Sequence, residues 1–251
     1  MTFEAPDLSS LLLPGVPVEL IGKVLDTAAG NELASGKFAS PESSSALAVN
    51  GFGPFLEAPD KLPRFPCLSD LDWPAVRVDV ERQMRFPWRG GRHPWLDAAF
   101  ETRFYLVGVE SKRFEPFRDR KEAKLSDAYW RDVWGEGMER WCAMRDYLRT
   151  EPLAYVHLDA AQLVKHAFGL VSEGRRSGKK PVLLYLFAEP TKGRNITPEQ
   201  SALHRKEIEG LGESVAGAAV RFEACSWREW LGCFEGAARD HAQRVLERFS
   251  P

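Results

Sequence analysis

Three charged side chains, Asp97, Glu110 and Lys112, interrupt two neighbouring apolar segments of the 251-residue chain, 95–100 (WLDAAF) and 106–112 (LVGVESK). Alternation along an extended strand puts Glu110 and Lys112 on one face, roughly 6.7 Å apart at about 3.3 Å per residue. Gly108 precedes them on that face and is expected to leave open space beside them. An acid and a base at the end of a half-buried strand are a candidate catalytic pair.

Asp97 joins this pair if the turn between the two strands has the right parity. Directly opposed residues of an antiparallel pair share a face, and a loop of two or four residues sets Asp97 on the face of Glu110. A two-residue loop at 102–103 would pair Asp97 with Gly108, diagonal to Glu110. Its residues, Thr and Arg, are not the Gly or Asn that tight hairpin turns prefer, so the sequence allows this geometry without demanding it.

Two carboxylates that converge at a strand end repel each other unless a cation offsets their charge. Mg²⁺ takes oxygen ligands and keeps several waters, so Asp97 and Glu110 are predicted ligands, with the backbone carbonyl of Ser111 as a third. Such a metal lowers the pKa of a bound water and polarises a phosphate oxygen. Lys112 would orient the attacking water or stabilise the charge that develops on phosphorus. These residues predict phosphodiester hydrolysis with Mg²⁺, or with Mn²⁺ in its place.

The alternative interpretation is an exposed strand end with solvated charges, where Glu110 and Lys112 form a surface pair worth about 0–1 kcal/mol. An E-x-K triplet alone is frequent by chance. Its place after an apolar run, with Asp97 on the strand before it, favours a site.

The elements that position these residues alternate between helices and strands. Strands are predicted over 75–85, 95–101, 103–112, 181–187 and 218–224, and helices over 41–50, 126–150, 159–173 and 197–210, with one or two more over 227–249. The nearly continuous apolar run at 181–187 indicates a central strand covered on both faces. The order predicts an α/β fold with a mixed central sheet flanked by helices.

This order and the triplet resemble the PD-(D/E)XK nuclease superfamily, whose core is α-β-β-β-α-β with an aspartate on the second strand and E-x-K on the third. The phrases at 43–56 (SSSALAVNGFGPFL) and 108–117 (GVESKRFEPF) are similar to a branch of restriction-endonuclease-like proteins of unassigned specificity. The resemblance covers residues 40–190. It implies an N-terminal extension over 1–39 and one nuclease domain over 40–251, with a C-terminal α/β addition at 191–251.

The resemblance also assigns residues to roles. Asp97 matches the motif aspartate, Glu110 the second acid and Lys112 the motif lysine. Gln162 matches the polar residue that members often place at the site from the following helix, whereas His166, one turn further on, is expected to be a packed or solvated histidine. The implied activity is that of a Mg²⁺-dependent DNA endonuclease acting on double-stranded DNA, with a homodimer as a possibility.

Charge balance limits the kind of nucleic-acid contact. The 34 Lys and Arg against 36 Asp and Glu give a net charge of −2, which argues against a protein that coats nucleic acid but leaves room for a local basic patch. Arg82, Arg85, Arg89 and Arg92 lie in an acid-free segment and are predicted to contact the phosphate backbone. A second basic cluster follows at 175–180. The alternative for each cluster is a solvated loop.

The remaining features concern location and rival functions. No apolar run approaches the roughly 20 residues of a membrane span, and no basic region precedes the leucines at 11–13, so neither a membrane partner nor a signal peptide is expected. Four cysteines without a CxxC pair favour reduced thiols in a cytoplasmic protein. Two rivals remain: a catalytically inactive nuclease-fold module that binds nucleic acid or protein, and a phosphoesterase acting on a small nucleotide.

Overall fold

The computed structural model describes residues 7–28, 33–120, 122–190 and 194–251, and its centre is a five-stranded sheet. The strands lie side by side in chain order: β1 (Arg77–Gln83), β2 (Trp95–Glu101), β3 (Tyr105–Lys112), β4 (Lys180–Phe187) and β5 (Arg221–Ser226). The pairs β1–β2 and β2–β3 are antiparallel, whereas β3–β4 and β4–β5 are parallel. The predicted mixed sheet is therefore confirmed.

Helices cover both faces of this sheet. They are α1 (Leu8–Leu11), α2 (Val18–Thr27), α3 (Ser44–Phe52), α4 (Glu139–Thr150), α5 (Ala160–Ser177), α6 (Pro198–Val215), α7 (Trp227–Leu231) and α8 (Ala237–Phe249). The N-terminal helices, α3, α7 and α8 share one apolar cluster, and α4, α5 and α6 share the other. Within the described ranges, no helix is long and apolar enough to cross a membrane.

Strand β4 is the centre of the core. Val182, Leu184 and Leu186 belong to the cluster with α3, while Leu183, Tyr185 and Phe187 belong to the cluster with α5. A strand that is apolar on both faces must be covered on both faces, as the sequence predicted.

Helices α3 and α4 begin well after their predicted starts, each for a local reason, whereas α5 and α6 continue past their predicted ends, to Ser177 and Val215 rather than 173 and 210. Helix α3 begins at Ser44 rather than near 41, because the Ser43 hydroxyl caps it by accepting a hydrogen bond from the Ala46 N–H at 3.0 Å. The single helix predicted over 126–150 is wrong: a short 3₁₀ turn at Asp127–Trp130 precedes α4. Between them Gly135 and Gly137 adopt φ of 76° and 80°, which an α-helix does not allow.

The β2–β3 turn lies one residue later than predicted. Glu101 is paired with Leu106, and the Thr102 N–H donates a hydrogen bond to the Tyr105 carbonyl at 3.0 Å, so the turn is centred on residues 103 and 104. Asp72 stabilises this turn from outside: its carboxylate accepts hydrogen bonds from the Thr102 hydroxyl at 2.5 Å and the Phe104 N–H at 3.1 Å. This external carboxylate replaces the glycine that a tight turn would need, and the shifted turn keeps the required parity.

Candidate active site

Asp97, Glu110 and Lys112 meet where β2 and β3 separate. The last pair of the β2–β3 ladder is Ala98 with Val109, and one further step sets Asp97 opposite Glu110. At that step the Ser111 N–H donates to Oδ2 of Asp97 at 2.7 Å. The aspartate side chain thus bridges the gap between the diverging strands, which fixes one carboxylate beside the other.

The β1–β2 ribbon loses its regular alternation at the same level. Glu81 lies between the pairs Val80–Ala98 and Arg82–Leu96, which places it opposite Asp97, and its φ is 49°. A left-handed backbone is uncommon for a residue with a side chain and is typical of functional sites. At this break Leu96 packs in the apolar cluster that contains α5. Regular alternation from Ala98 would instead place Leu96 on the opposite face of the sheet, in the cluster that contains α3.

The carboxylate of Glu81 joins the site from this strained position. It accepts a hydrogen bond from the Ser45 hydroxyl of α3 at 2.9 Å, and its charge contributes to a raised pKa at Asp97. The alternating pattern of 75–85 presents Glu81 as an ordinary outward side chain. The backbone break turns it towards Ser45 of α3, and period-two reasoning had no signal for this contact.

Glu110 is buried between the ammonium group of Lys112 and the imidazole of His166. Its side chain is 2% exposed, and Oε1 lies 2.5 Å from Nζ of Lys112 while Oε2 lies 2.7 Å from Nε2 of His166. Burial by itself raises the pKa of Glu110, but the charges of Lys112 and His166 outweigh burial and lower the pKa to about 2. Desolvation lowers the pKa of Lys112, and the carboxylates of Glu110 and Asp97 more than compensate, so that pKa lies above its ordinary value.

The pKa of Asp97 is shifted in the opposite direction from that of Glu110. Burial and then the charge of Glu110 raise the pKa of Asp97 well above its ordinary value, and Lys112 and the Ser111 N–H only partly oppose this. The pair therefore consists of one stabilised carboxylate and one that is destabilised when ionised. A cation placed between them would stabilise the ionised form of Asp97.

The donor set suits a hard divalent cation with few protein ligands. Among the described residues, no group of three or more His, Cys, Asp or Glu side chains is arranged to hold a metal ion. Mg²⁺ is commonly bound through one or two carboxylates and keeps its remaining positions for water and phosphate. The carboxylates of Asp97 and Glu110 fit an ion held in this way.

Helix α5 brings His166, rather than Gln162, to Glu110. The helix begins at Ala160, and Asp159 caps it by accepting a hydrogen bond from the Gln162 N–H at 3.0 Å. Gln162 lies half-buried in this first turn, and its side-chain amide makes no hydrogen bond to the described residues. His166 is 2% exposed, as expected for a packed histidine. The contact with Glu110 was not predicted, although the spacing of one helical turn from Gln162 offered a signal.

The contact itself is close but not aligned as a hydrogen bond. Neither Nε2 nor Nδ1 of His166 has a hydrogen-bond partner of suitable geometry among the described residues. The 2.7 Å separation from Glu110 is therefore a close contact, which is an ion pair only when the imidazole is protonated.

Gly108 does not leave open space, contrary to the prediction. A Cβ atom at this position would lie 2.3 Å from Cδ1 of Leu96 and 2.9 Å from Cδ2 of Leu170. The missing side chain instead allows β2 and α5 to approach β3 closely. Gly108 thus sets the packing around the site.

A small cavity beside Lys112 bears on the size of the substrate. It has a volume of about 20 Å³ and is lined in part by Glu115, His157, Asp159 and Tyr185. Pockets that enclose small ligands have volumes of roughly 300–1,000 Å³. The cavity holds little more than a water molecule, which disfavours an enclosed nucleotide as substrate.

The four arginines predicted to contact nucleic acid separate into two environments. Arg82 is largely buried and pairs with Asp79 at 3.0 Å and Glu101 at 2.8 Å. Arg85, Arg89 and Arg92 are exposed on the loop between β1 and β2. The guanidinium of Arg82 is therefore used inside the fold, and only the other three are presented to solvent.

The fold and the site together define a restriction-endonuclease-like protein, with the α3-β1-β2-β3-α5-β4 core and Asp97, Glu110 and Lys112 at the ends of its strands. The chain belongs to the REase-ARP family, described as Restriction Endonuclease associating with ARP, whose family model matches residues 19–244. No curated protein and no solved structure matches the chain.

Proposed function

We propose that this protein is a Mg²⁺-dependent nuclease that hydrolyses phosphodiester bonds of DNA as an endonuclease. The observation that carries the proposal is the position of Asp97 opposite Glu110, with Lys112 Nζ 2.5 Å from the Glu110 carboxylate. Membership of a restriction endonuclease family supports the same reaction. Mn²⁺ is proposed as a substitute for Mg²⁺.

Asp97 and Glu110 would hold the ion, with the backbone carbonyl of Ser111 as a third ligand and water in the remaining positions. When bound, Mg²⁺ supplies a polarised phosphoryl oxygen and a water of lowered pKa. The Ser111 N–H keeps one oxygen of Asp97 in place, and this leaves Oδ1 without a hydrogen bond to the described residues. Glu110 is positioned by Lys112 and His166.

Lys112 acts as a cation and hydrogen-bond donor in this proposal. Burial alone would lower its pKa, but in the metal-free protein the charges of Glu110 and Asp97 outweigh burial, so its side chain is an ammonium group at physiological pH. The ammonium group is suited to orient the attacking water and to stabilise the negative charge that develops on the phosphoryl group.

A polymeric substrate is favoured over a free nucleotide. The cavity beside Lys112 is too small to enclose a nucleotide, and exposed arginines lie on the loop between the two strands that carry Glu81 and Asp97. Double-stranded DNA is the proposed substrate because the family is one of restriction endonucleases. Cleavage of both strands would favour a homodimer, since one active site cuts one strand at a time.

A catalytically inactive module is the second candidate. The observation that favours it is that Lys112 and His166 already engage both oxygens of Glu110. A metal ion would have to share one of these oxygens through its remaining lone pair, or displace one of the contacts. If it does not, the protein would bind nucleic acid or protein without cleaving it.

Cleavage of plasmid DNA with Mg²⁺, with Mn²⁺ and with EDTA tests the proposal. The Asp97→Asn and Lys112→Ala variants are expected to lose activity by two or more orders of magnitude, as for removal of a group that stabilises the transition state. Lys124→Ala is the matched control, because Lys124 is 78% exposed and, among the described residues, pairs with Glu122 alone. Activity that survives both site substitutions, or that persists in EDTA, would refute the assignment. Absence of cleavage by the wild-type protein would favour the inactive module.

A further inference from the structure

An open groove lies between the β1–β2 loop and the C-terminal half of α5, and we refer to it as the basic groove. Arg85 and Arg89 line it from the loop and Arg176 from the helix, with Trp88 between them. Its volume is about 710 Å³. The two basic clusters of the sequence, separated by more than eighty residues, thus contribute to one surface.

The charge of this groove is largely uncompensated. Glu173 is the acid that lines it, and this residue pairs with Arg176. Within the described residues, the guanidinium groups of Arg85, Arg89 and Arg92 form no ion pair and are exposed. Other surface arginines, such as Arg118 and Arg194, pair with carboxylates. Unpaired guanidinium groups on one surface are suited to bind phosphates.

The loop that carries the arginines is held in a fixed conformation. His93 Nδ1 accepts a hydrogen bond from the Phe86 N–H at 3.1 Å, and Arg176 donates to the carbonyl of Arg85. The ring of Trp88 packs 4.8 Å from that of Phe86, and the guanidinium of Arg131 lies 4.6 Å from the centroid of Trp88. These contacts order the loop before a ligand binds, so that binding does not carry the entropic cost of ordering it. The ring of Trp88 is part of this packing.

The groove lies at a defined distance from the candidate active site. Arg176 is ten residues beyond His166 on α5, which corresponds to about 15 Å at a rise of 1.5 Å per residue. His166 contacts Glu110, so the same interval separates the groove from the carboxylates along the helix axis. A B-form duplex covers this distance in roughly four to five base pairs at 3.4 Å each.

We propose that the basic groove binds the phosphate backbone of the duplex that the active site cleaves, roughly four to five base pairs from the scissile phosphate. This inference rests on the proposed function for the choice of duplex DNA. An acidic protein segment is the competing occupant, because it offers the same charge without regularly spaced phosphates.

The test is equilibrium binding of a fluorescent DNA duplex of about 30 base pairs, in EDTA to prevent cleavage and at several salt concentrations. The Arg85→Gln/Arg89→Gln double variant is compared with Arg239→Gln/Arg244→Gln, which removes two exposed arginines from α8 on the other face of the sheet. We expect the first variant to raise Kd at least about tenfold and to reduce the slope of log K against log salt by about two, one for each lost phosphate contact. The α8 variant is expected to bind like the wild type.

Three results would overturn the inference. The first is equal affinity and salt slope for the Arg85/Arg89 variant and the wild type, and the second is an equal loss of affinity in the α8 variant. The third is displacement of the duplex by polyglutamate as effectively as by unlabelled DNA. Thermal melts of both variants establish that they fold. The binding assay does not depend on catalysis. A protein that binds DNA through the groove but does not cleave it would refute only the proposed function, and one that cleaves but binds normally without Arg85 and Arg89 would refute only this inference.

Discussion

Nε2 of His166 lies 2.7 Å from Oε2 of Glu110, and both side chains are almost completely buried. This contact makes His166 the residue of helix α5 that touches the acid of the E-x-K triplet. Gln162, the residue predicted for this role, lies one turn nearer the start of the helix, and its side-chain amide has no hydrogen bond to the described residues. The position of Glu110 is thus determined by Lys112 on its own strand and His166 from the neighbouring layer.

Substitution of His166 should therefore affect cleavage more than substitution of Gln162. We expect His166→Gln to lower activity or apparent Mg²⁺ affinity by roughly 10–100-fold, the usual effect of losing a group that orients a metal ligand. Gln162→Ala is expected to have a smaller effect. Cleavage rates measured across a Mg²⁺ titration check this, and a larger loss for Gln162→Ala would restore the role predicted from the sequence.

Neutralisation of Asp97 should stabilise the protein while abolishing cleavage. The pKa of Asp97 is raised on folding, so the folded state keeps a proton that the unfolded chain releases above about pH 3.8. The free energy of unfolding therefore falls as the pH rises above this value. Asp97→Asn avoids this fall, because asparagine does not titrate. We expect Asp97→Asn to raise the free energy of unfolding by roughly 0.5–2 kcal/mol at pH 7 without metal, with the gain disappearing near pH 3.8.

Chemical denaturation of the metal-free protein at several pH values measures this gain. Asp119→Asn is the control, because Asp119 is exposed and such substitutions usually change stability by less than about 0.5 kcal/mol. A lower stability of Asp97→Asn at pH 7 would contradict the raised pKa.

Addition of a methyl group at Gly108 should disturb the site through packing. The new Cβ would meet Leu96 at 2.3 Å and Leu170 at 2.9 Å, and Leu96 directly precedes Asp97. We expect Gly108→Ala to cost about 1–3 kcal/mol of stability and to lower activity by moving Asp97. Gly210→Ala is the matched control: Gly210 lies within α6 with no atom within 4 Å of an added Cβ, so it should gain roughly 0.5–1 kcal/mol. Thermal melts and cleavage assays of both variants decide the outcome, and a neutral Gly108→Ala would refute the packing argument.

The buried pair of Tyr185 and His204 should make stability depend on pH. Tyr185 Oη lies 3.0 Å from Nε2 of His204, and burial, followed by the charges of His157 and Arg205, lowers the pKa of His204 to about 3. The unfolded histidine binds a proton below about pH 6.5, so the stability that a neutral His204 maintains is lost as the pH falls from about 6.5 towards 3. This one group should reduce the free energy of unfolding by about 1.4 kcal/mol for each pH unit in that range.

Urea denaturation at pH 7.5 and pH 5.5 compares the wild-type protein with His204→Gln. The variant is expected to lose less stability than the wild type between these pH values, because glutamine does not titrate. An identical loss in both proteins would show that His204 is protonated in the folded state.

The core elements could be predicted because their signals are local. Period-two alternation indicates a strand with one buried face, and the apolar run at 181–187 indicates a strand with two. Neither pattern depends on residues that are distant in the chain. The boundaries around 126–150 were missed because a helical pattern of aromatic residues continues through Gly135 and Gly137, where the backbone leaves the helix. The turn at 102–105 was missed because Asp72, thirty residues earlier, stabilises it.

The site was predicted in part for the same reason. Asp97, Glu110 and Lys112 follow from spacing and parity along two adjacent strands. The contribution of Glu81 depends on a backbone break, and that of His166 on the packing of α5 against β3, which no pattern within one segment encodes. Arg82 illustrates the converse: the residues that follow it in its predicted cluster are basic, but one of its partners, Glu101, lies within reach only after β1 and β2 have paired.

The sequence by itself determined the α/β order of elements, the mixed sheet and the acid-acid-lysine set, because each depends on residue type and short-range periodicity. Only the tertiary structure decided which helix residue touches Glu110, that Leu96 and Leu170 fill the space at Gly108, and that Arg85, Arg89 and Arg176 form one groove. These relationships join segments that are far apart in the chain, and they are fixed by the packing of whole layers against each other.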